Sequence, residues 1–163
     1  MSESEYDLVV IGSAQRARRA PSGTRPAQGA EIPFDNHRIV DTDHLADLGG
    51  LPREIIVVGA GVVGLEYASF IAALGAHVTL IDQRASILEF VDRQIIEALS
   101  YHLRQQGVTF RLAETVTHVG IDSVRDRVVA ELESGKKVQG DALVYAVGRQ
   151  RRSASIGSSW ISR

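Results

Sequence analysis

Residues 55–84, IIVVGAGVVGLEYASFIAALGAHVTLIDQR, constrain the fold more than any other part of the chain. Ile55 to Val58 are four β-branched residues with no polar face, the pattern of a strand covered on both sides inside a parallel sheet. They run into three glycines spaced G-x-G-x-x-G, at Gly59, Gly61 and Gly64. Gly59 permits a tight strand-to-helix turn, Gly61 leaves room for a pyrophosphate to approach the backbone, and Gly64 lets the helix pack closely on the strand. From Val62 to Leu74, the residues Val63, Tyr67, Phe70, Ile71 and Leu74 recur every three or four positions, which predicts a helix with that stripe buried. Gly75 stands where such a helix closes. His77 to Ile81 predicts a second strand, and Asp82 ends it, 18 residues past Gly64. A carboxylate there is placed to accept hydrogen bonds from an adenosine ribose.

A glycine-rich turn alone says little, but strand, glycines, helix, strand and acid in this order predict a dinucleotide site. Its residues are Gly59, Ala60, Gly61, Val62, Val63, Gly64 and Asp82. The helix N-terminus offers free N–H groups and the positive end of its dipole to the phosphates. Arg84 stands between two roles: a solvated surface arginine, or a partner for the 2′-phosphate of NADP(H).

The pattern continues downstream. Ile95, Ile96, Leu99 and Leu103 share a helical face between Asp92, a predicted N-cap, and Gly107, a predicted C′ residue. Val108 to Leu112 predicts a third parallel strand. TVTHVGI, RVVAELE and KKVQG are short alternating segments separated by turn residues, the pattern of an antiparallel meander. Ala142 to Gly148 is apolar again and is expected to return to the parallel sheet. The expected fold class is α/β: a Rossmann-like parallel sheet with flanking helices plus a three-stranded antiparallel β-meander.

Composition excludes other classes. The formal charge of −2 provides no field for nucleic acid or an anionic membrane. The arginines at 16, 18 and 19 lack accompanying aromatic residues, so a solvated loop is expected there. With no cysteine, the chain carries no disulfide, thiolate metal site or dithiol centre. No apolar run approaches the roughly 20 residues that span a bilayer, and the acidic start MSESEYD is not a signal peptide, so a cytoplasmic protein is expected. Residues 41–44, DTDH, predict a helix start capped by Asp41 or Thr42 rather than a metal cluster.

Several stretches together carry a family likeness: SGTRPA (22–27), FDNHRIVDTDHL (34–45), VVGAGVVGLEYASFIAALG (57–75), LEFVDRQIIEALSYHLRQQGV (88–108) and LVYAVGRQ (143–150). The segment from Gly23 to Gln150 resembles the pyridine-nucleotide-binding domain of the two-dinucleotide-binding-domain flavoproteins, the pyridine nucleotide-disulfide oxidoreductase family. Within it, LSYH points to the soluble pyridine nucleotide transhydrogenase branch. The resemblance implies an NAD(P)(H)-binding domain of an enzyme that passes hydride from NADPH through FAD to NAD⁺. It also implies that Glu66 faces the nicotinamide, that backbone at Gly148 lies near the cofactor, and that relatives assemble as homodimers or larger.

The same resemblance marks departures. Leu8 to Ile11 with Gly12 looks like the first strand of the family's flavin unit, but Ala14 and Ala17 stand where its other glycines belong. Residues 1–28 are therefore expected to be a remnant of that unit, 29–150 the nucleotide-binding domain and 151–163 a disordered tail. FAD is expected to be absent from this chain and NAD(H), with NADP(H) as the alternative, to be its ligand. A stand-alone NAD(H)-binding module without turnover, and a fragment of a dihydrolipoamide dehydrogenase-like flavoprotein, are the competing identities.

Overall fold

The structure is a computed structural model that describes residues 24–26 and 32–151, with side chains described over 32–148. In chain order the described strands and α-helices are β1 (Thr24–Pro26), β2 (Ile39–Asp41), β3 (Glu54–Val58), α1 (Val62–Ala73), β4 (His77–Asp82), α2 (Arg93–Gln105), β5 (Val108–Leu112), β6 (Val116–Asp122), β7 (Arg127–Leu132), β8 (Lys137–Gly140), β9 (Ala142–Tyr145) and β10 (Arg149–Arg151). The flavin-unit strand expected at Leu8 to Ile11, the arginines at 16–19 and the tail from residue 152 lie outside the described residues.

Five parallel strands in the order β2-β9-β3-β4-β5 form the central sheet. The side-chain alternation of β3 shows why it carries no polar face. Ile55 and Val57 join the core under the helices, together with Leu65, Ala68, Ile71 and Leu103. Ile56 and Val58 face the other way, onto Val119, Val128, Ala130 and Leu132 of the meander β6-β7-β8. The result is helices, parallel sheet and antiparallel meander in three layers. Each fully buried Val, Ile or Leu in these interfaces contributes about 1.5–3 kcal/mol of transfer free energy. The meander is also tied across by ion pairs, Arg38 to Asp126 at 2.5 and 2.8 Å and Arg127 to Glu54 and Asp141.

The α/β class, the two helices, the three meander strands and the returning strand agree with the sequence expectations. Asp92 caps α2 through its carboxylate, which accepts the Gln94 N–H at 2.8 Å. Four expectations need correction. First, α1 buries Gly64, Leu65, Ala68, Ile71 and Ala72, while Val63, Phe70 and Leu74 are 41–51% exposed. Apolar residues occupy most of the helix surface, so hydrophobic periodicity did not single out a face; the buried stripe is the one at 64, 65, 68, 71 and 72, where Gly64, Ala68 and Ala72 allow close approach to the sheet. Second, Ile95 of α2 is also exposed, and Leu103 is the buried residue of that helix. Third, residues 39–41 form a strand, and Asp41 ends it instead of capping a helix. Its Oδ1 accepts the Asp43 N–H at 3.0 Å and lies 2.6 Å from His44 Nδ1, ahead of a single 3₁₀ turn at Leu45–Asp47 that has no side-chain cap. Fourth, the returning strand ends at Tyr145, and residues 146–148 leave it as a loop.

Candidate functional site

In an open parallel sheet, ligands lie beyond the carboxyl ends of the strands. Here the ends of β3, β4 and β9 meet the start of α1 and the loop after β5 around a cleft of about 510 Å³. The three frame glycines divide the work of building it. Gly59 turns the chain with φ +104°, and a Cβ there would lie 2.7 Å from the Ala146 carbonyl oxygen. Gly64 is buried, and a Cβ on it would overlap the carbonyl oxygen of Gly59. Those two glycines lock turn, helix and β9 loop together. Gly61 is different: its backbone is extended (φ −73°, ψ −177°) and nothing lies within 4 Å of where a Cβ would stand.

Gly61 is also the N-cap of α1, and no side chain caps that helix. The orphan N–H groups of a first turn need partners. At α2 the Asp92 carboxylate supplies one; at α1 the turn opens into the cleft, which Gly61, Val62 and Val63 line. A glycine backed by open space before an uncapped helix N-terminus suits an anion such as a pyrophosphate.

Asp82 stands across this turn. It is buried, with both carboxylate oxygens engaged: Oδ1 accepts the Arg84 main-chain N–H at 2.8 Å and Arg84 Nε at 2.9 Å, and Oδ2 accepts the Ala60 N–H at 2.6 Å and Arg84 Nη2 at 2.7 Å. Burial alone would raise its pKa, but the bonds from Arg84 and from the Ala60 N–H outweigh it and hold the carboxyl below its usual value. The bond to Asp82 in turn raises the already high pKa of Arg84. The pair is bidentate, the strong geometry for arginine and carboxylate. Neither side chain is simply solvated.

The expected site residues separate into two groups. Gly59, Gly61, Val62, Val63, Asp82, Arg84 and Gly148 line the cleft, Gly148 with φ +114° in the loop after β9. Ala60 and Gly64 lie buried behind the lining, and Glu66 is exposed on the second turn of α1, outside it. The sequence analysis missed the far wall: Glu114, Thr115 and Val116 after β5, and Tyr145 to Val147 at the end of β9. Their signal was position, since each follows or ends a parallel strand at the same edge as Gly59. Tyr145 also packs edge to face on Phe34, with ring centroids 6.0 Å apart. Among the described residues there is no group of acids and histidines that could hold a metal ion, and no helix is long and apolar enough to cross a membrane.

Comparisons with known proteins agree with this geometry. The chain is 46% identical over 129 residues to the soluble pyridine nucleotide transhydrogenase of Mycobacterium bovis, a match covering 79% of this chain and 27% of that protein. The chain therefore spans less than a third of the length of such relatives. Among solved structures, LpdA from Mycobacterium tuberculosis superposes with a TM-score of 0.77 at 25% identity, covering 83% of this chain and 29% of that one. The Cu(II) complex of the HOCl-induced flavoprotein disulfide reductase RclA from Escherichia coli gives a TM-score of 0.74 at 28% identity, covering 81% and 30%. The family model described as pyridine nucleotide-disulphide oxidoreductase matches residues 2–159. Because that match takes in the strand, the glycine turn, Asp82 and the β9 loop alike, this chain belongs to the pyridine nucleotide-disulphide oxidoreductase family.

Proposed function

We propose that residues 29–150 bind a pyridine nucleotide, NAD(H) or NADP(H), as the nucleotide-binding part of a transhydrogenase-like, FAD-dependent oxidoreductase. The pyrophosphate lies against Gly61 and the first turn of α1. The adenosine ribose lies at Asp82 and Arg84, with the nicotinamide toward Gly148 and the exposed carboxylate of Glu66. One observation carries this reading: of the three frame glycines, Gly59 and Gly64 have no room for a side chain, whereas Gly61 has open space facing the cleft. Likeness to the transhydrogenases, at 42–46% identity over about four-fifths of the chain, supports the choice of ligand.

Bound FAD supplies the hydride-carrying chemistry in such an enzyme. This chain's residues bind and orient the nucleotide. For the isolated chain we assign binding without turnover: the cleft takes one nucleotide at a time, and hydride exchange between two of them needs a carrier. The test is a titration of the purified chain with NADH followed by fluorescence or calorimetry, beside a visible spectrum and an NADPH-to-thio-NAD⁺ assay. Saturable NADH binding, no flavin band and no turnover are expected. Absence of NADH binding would overturn the assignment of the cleft, and a stoichiometric flavin band with turnover would overturn the assignment of binding alone.

A further inference from the structure

The ribose end of the cleft carries a second ion pair that the glycine frame does not foretell. After β5 the chain runs back along the end of β4: the Ala113 N–H donates to the Arg84 carbonyl at 2.9 Å, and the Glu114 N–H donates to the Asp82 carbonyl at 3.1 Å. Glu114 lines the cleft, and its carboxylate accepts from Ser134 Oγ at 2.9 Å and Lys136 Nζ at 3.0 Å, both on the turn between β7 and β8 just behind the lining. That turn is held in place by the Glu133 N–H, which donates to the Thr115 carbonyl at 2.9 Å.

Two cation–carboxylate pairs thus stand on neighbouring backbone, Asp82 with Arg84 and Glu114 with Lys136. They share an asymmetry. The carboxylate side chains are 5% and 12% exposed, whereas the cationic side chains are 43% and 62% exposed. The anions are built into the fold. The cations sit on long, exposed side chains that can reorient toward a ligand. A ribose diol offers donors to carboxylates, but a 2′-phosphate brings about two negative charges and two to three acceptor oxygens, and meets repulsion unless cations turn toward it.

We propose that Lys136, held on Glu114, is a second cation for the 2′-phosphate of NADP(H) beside Arg84, and that the Glu114–Lys136 pair sets the discrimination between NADP(H) and NAD(H). This rests on the cleft being the nucleotide site. With both pairs closed, the ribose end is electrically balanced and takes a diol. With the two cations turned to the ligand, it takes a phosphate.

The test measures NADH and NADPH dissociation constants at low and high salt for the wild-type chain, Lys136→Gln, Lys136→Arg and Glu114→Gln. Lys136→Gln weakens NADPH relative to NADH by about threefold to tenfold at low salt, and the difference shrinks as salt is added. Lys136→Arg keeps the wild-type ratio. Glu114→Gln, which removes a carboxylate and releases Lys136, shifts the ratio toward NADPH. A ratio unchanged in both Lys136→Gln and Glu114→Gln, with the wild type binding both nucleotides, overturns the role of Lys136 alone. A wild type that binds neither nucleotide overturns the site assignment and this inference with it.

Discussion

Replacing Gly61 with alanine separates ligand binding from folding. Its φ of −73° is one that any L-residue adopts, and a methyl group there meets no atom within 4 Å. Removing a glycine at a compatible position restricts the unfolded chain by about 0.4–1 kcal/mol, while alanine is a poorer N-cap than glycine by a similar amount, so stability is expected to stay within about 1 kcal/mol of the wild type. Under the proposed binding mode, the same methyl group stands where phosphate oxygens reach the first N–H groups of α1. A hydrogen bond to a charged group is worth about 1.5–3 kcal/mol, so losing one lowers NADH affinity about tenfold to a hundredfold. Gly61→Val, with a bulkier side chain, is expected to abolish measurable binding. Gly64→Ala provides the contrast: its methyl group overlaps the Gly59 carbonyl oxygen, and forcing turn and helix apart costs about 1–3 kcal/mol or more of stability. Urea unfolding read by circular dichroism and NADH titration by fluorescence, on all three variants, measure both quantities. Two results would refute the reasoning: Gly61→Ala binding NADH as tightly as the wild type, or Gly61→Ala losing as much stability as Gly64→Ala.

Other consequences follow from the same contacts. Arg84→Ala frees the Asp82 carboxylate for a ribose diol and removes a cation, so the NADH-to-NADPH preference rises; Asp82→Asn moves it the other way, and equal effects of both on both nucleotides, seen by calorimetry, would contradict this. Asp82 has a lowered pKa, so its contribution to stability is fully present above the ordinary aspartate value of about 3.9 and is lost as pH falls through the lower native value. Urea midpoints measured between pH 6 and 3 are expected to fall more for the wild type than for Asp82→Asn. His44 is shifted in the opposite direction: its bond to Asp41 raises the imidazole pKa, against a smaller opposing effect of burial. Its contribution is complete below about pH 6.5 and fades as pH rises through the raised value, and an NMR titration should show the shift disappear in Asp41→Asn.

The parts legible in the sequence were those whose cause is local. A turn that needs positive φ at Gly59 and backbone contact at Gly64 admits few alternatives, so β3, α1 and β4 could be placed from their glycines. Asp92 and Gly107 bounded α2 in the same way, by a cap bond and a φ of +96°. Elements defined by distant partners were not legible. The three residues of β2 are too few for a pattern, and their neighbour β9 lies about a hundred positions away. Asp82 was read as a ribose acceptor and Arg84 as either a solvated arginine or a phosphate partner, and their spacing of two does not reveal that they bind each other. Glu114 and Lys136 meet only because the meander folds back over the end of β5, a convergence that no window of sequence contains.

The position of β9 bears on how the chain folds. It lies between β2 and β3, with Ile39 opposite Leu143 on one side and Ile55 opposite Ala142 on the other, so a central strand of the sheet is the last of the five to be synthesised. The unit from Glu54 to Leu112 alternates strand and helix and makes its contacts between sequence neighbours, which favours rapid local assembly. Until residue 142 arrives, one edge of β3, apolar from Ile55 to Val58, is unpaired and β2 has no partner in its sheet. Closure spans 87 residues, and it is fastened by the Asp141 carboxylate, which accepts the main-chain N–H groups of Arg53 and Glu54 at 3.0 and 2.9 Å. The docking of β9 onto the open edge of β3, which in turn gives β2 its partner, is therefore expected to be the slow step of folding. The open-edged species that precedes it is expected to be the one most exposed to misassembly.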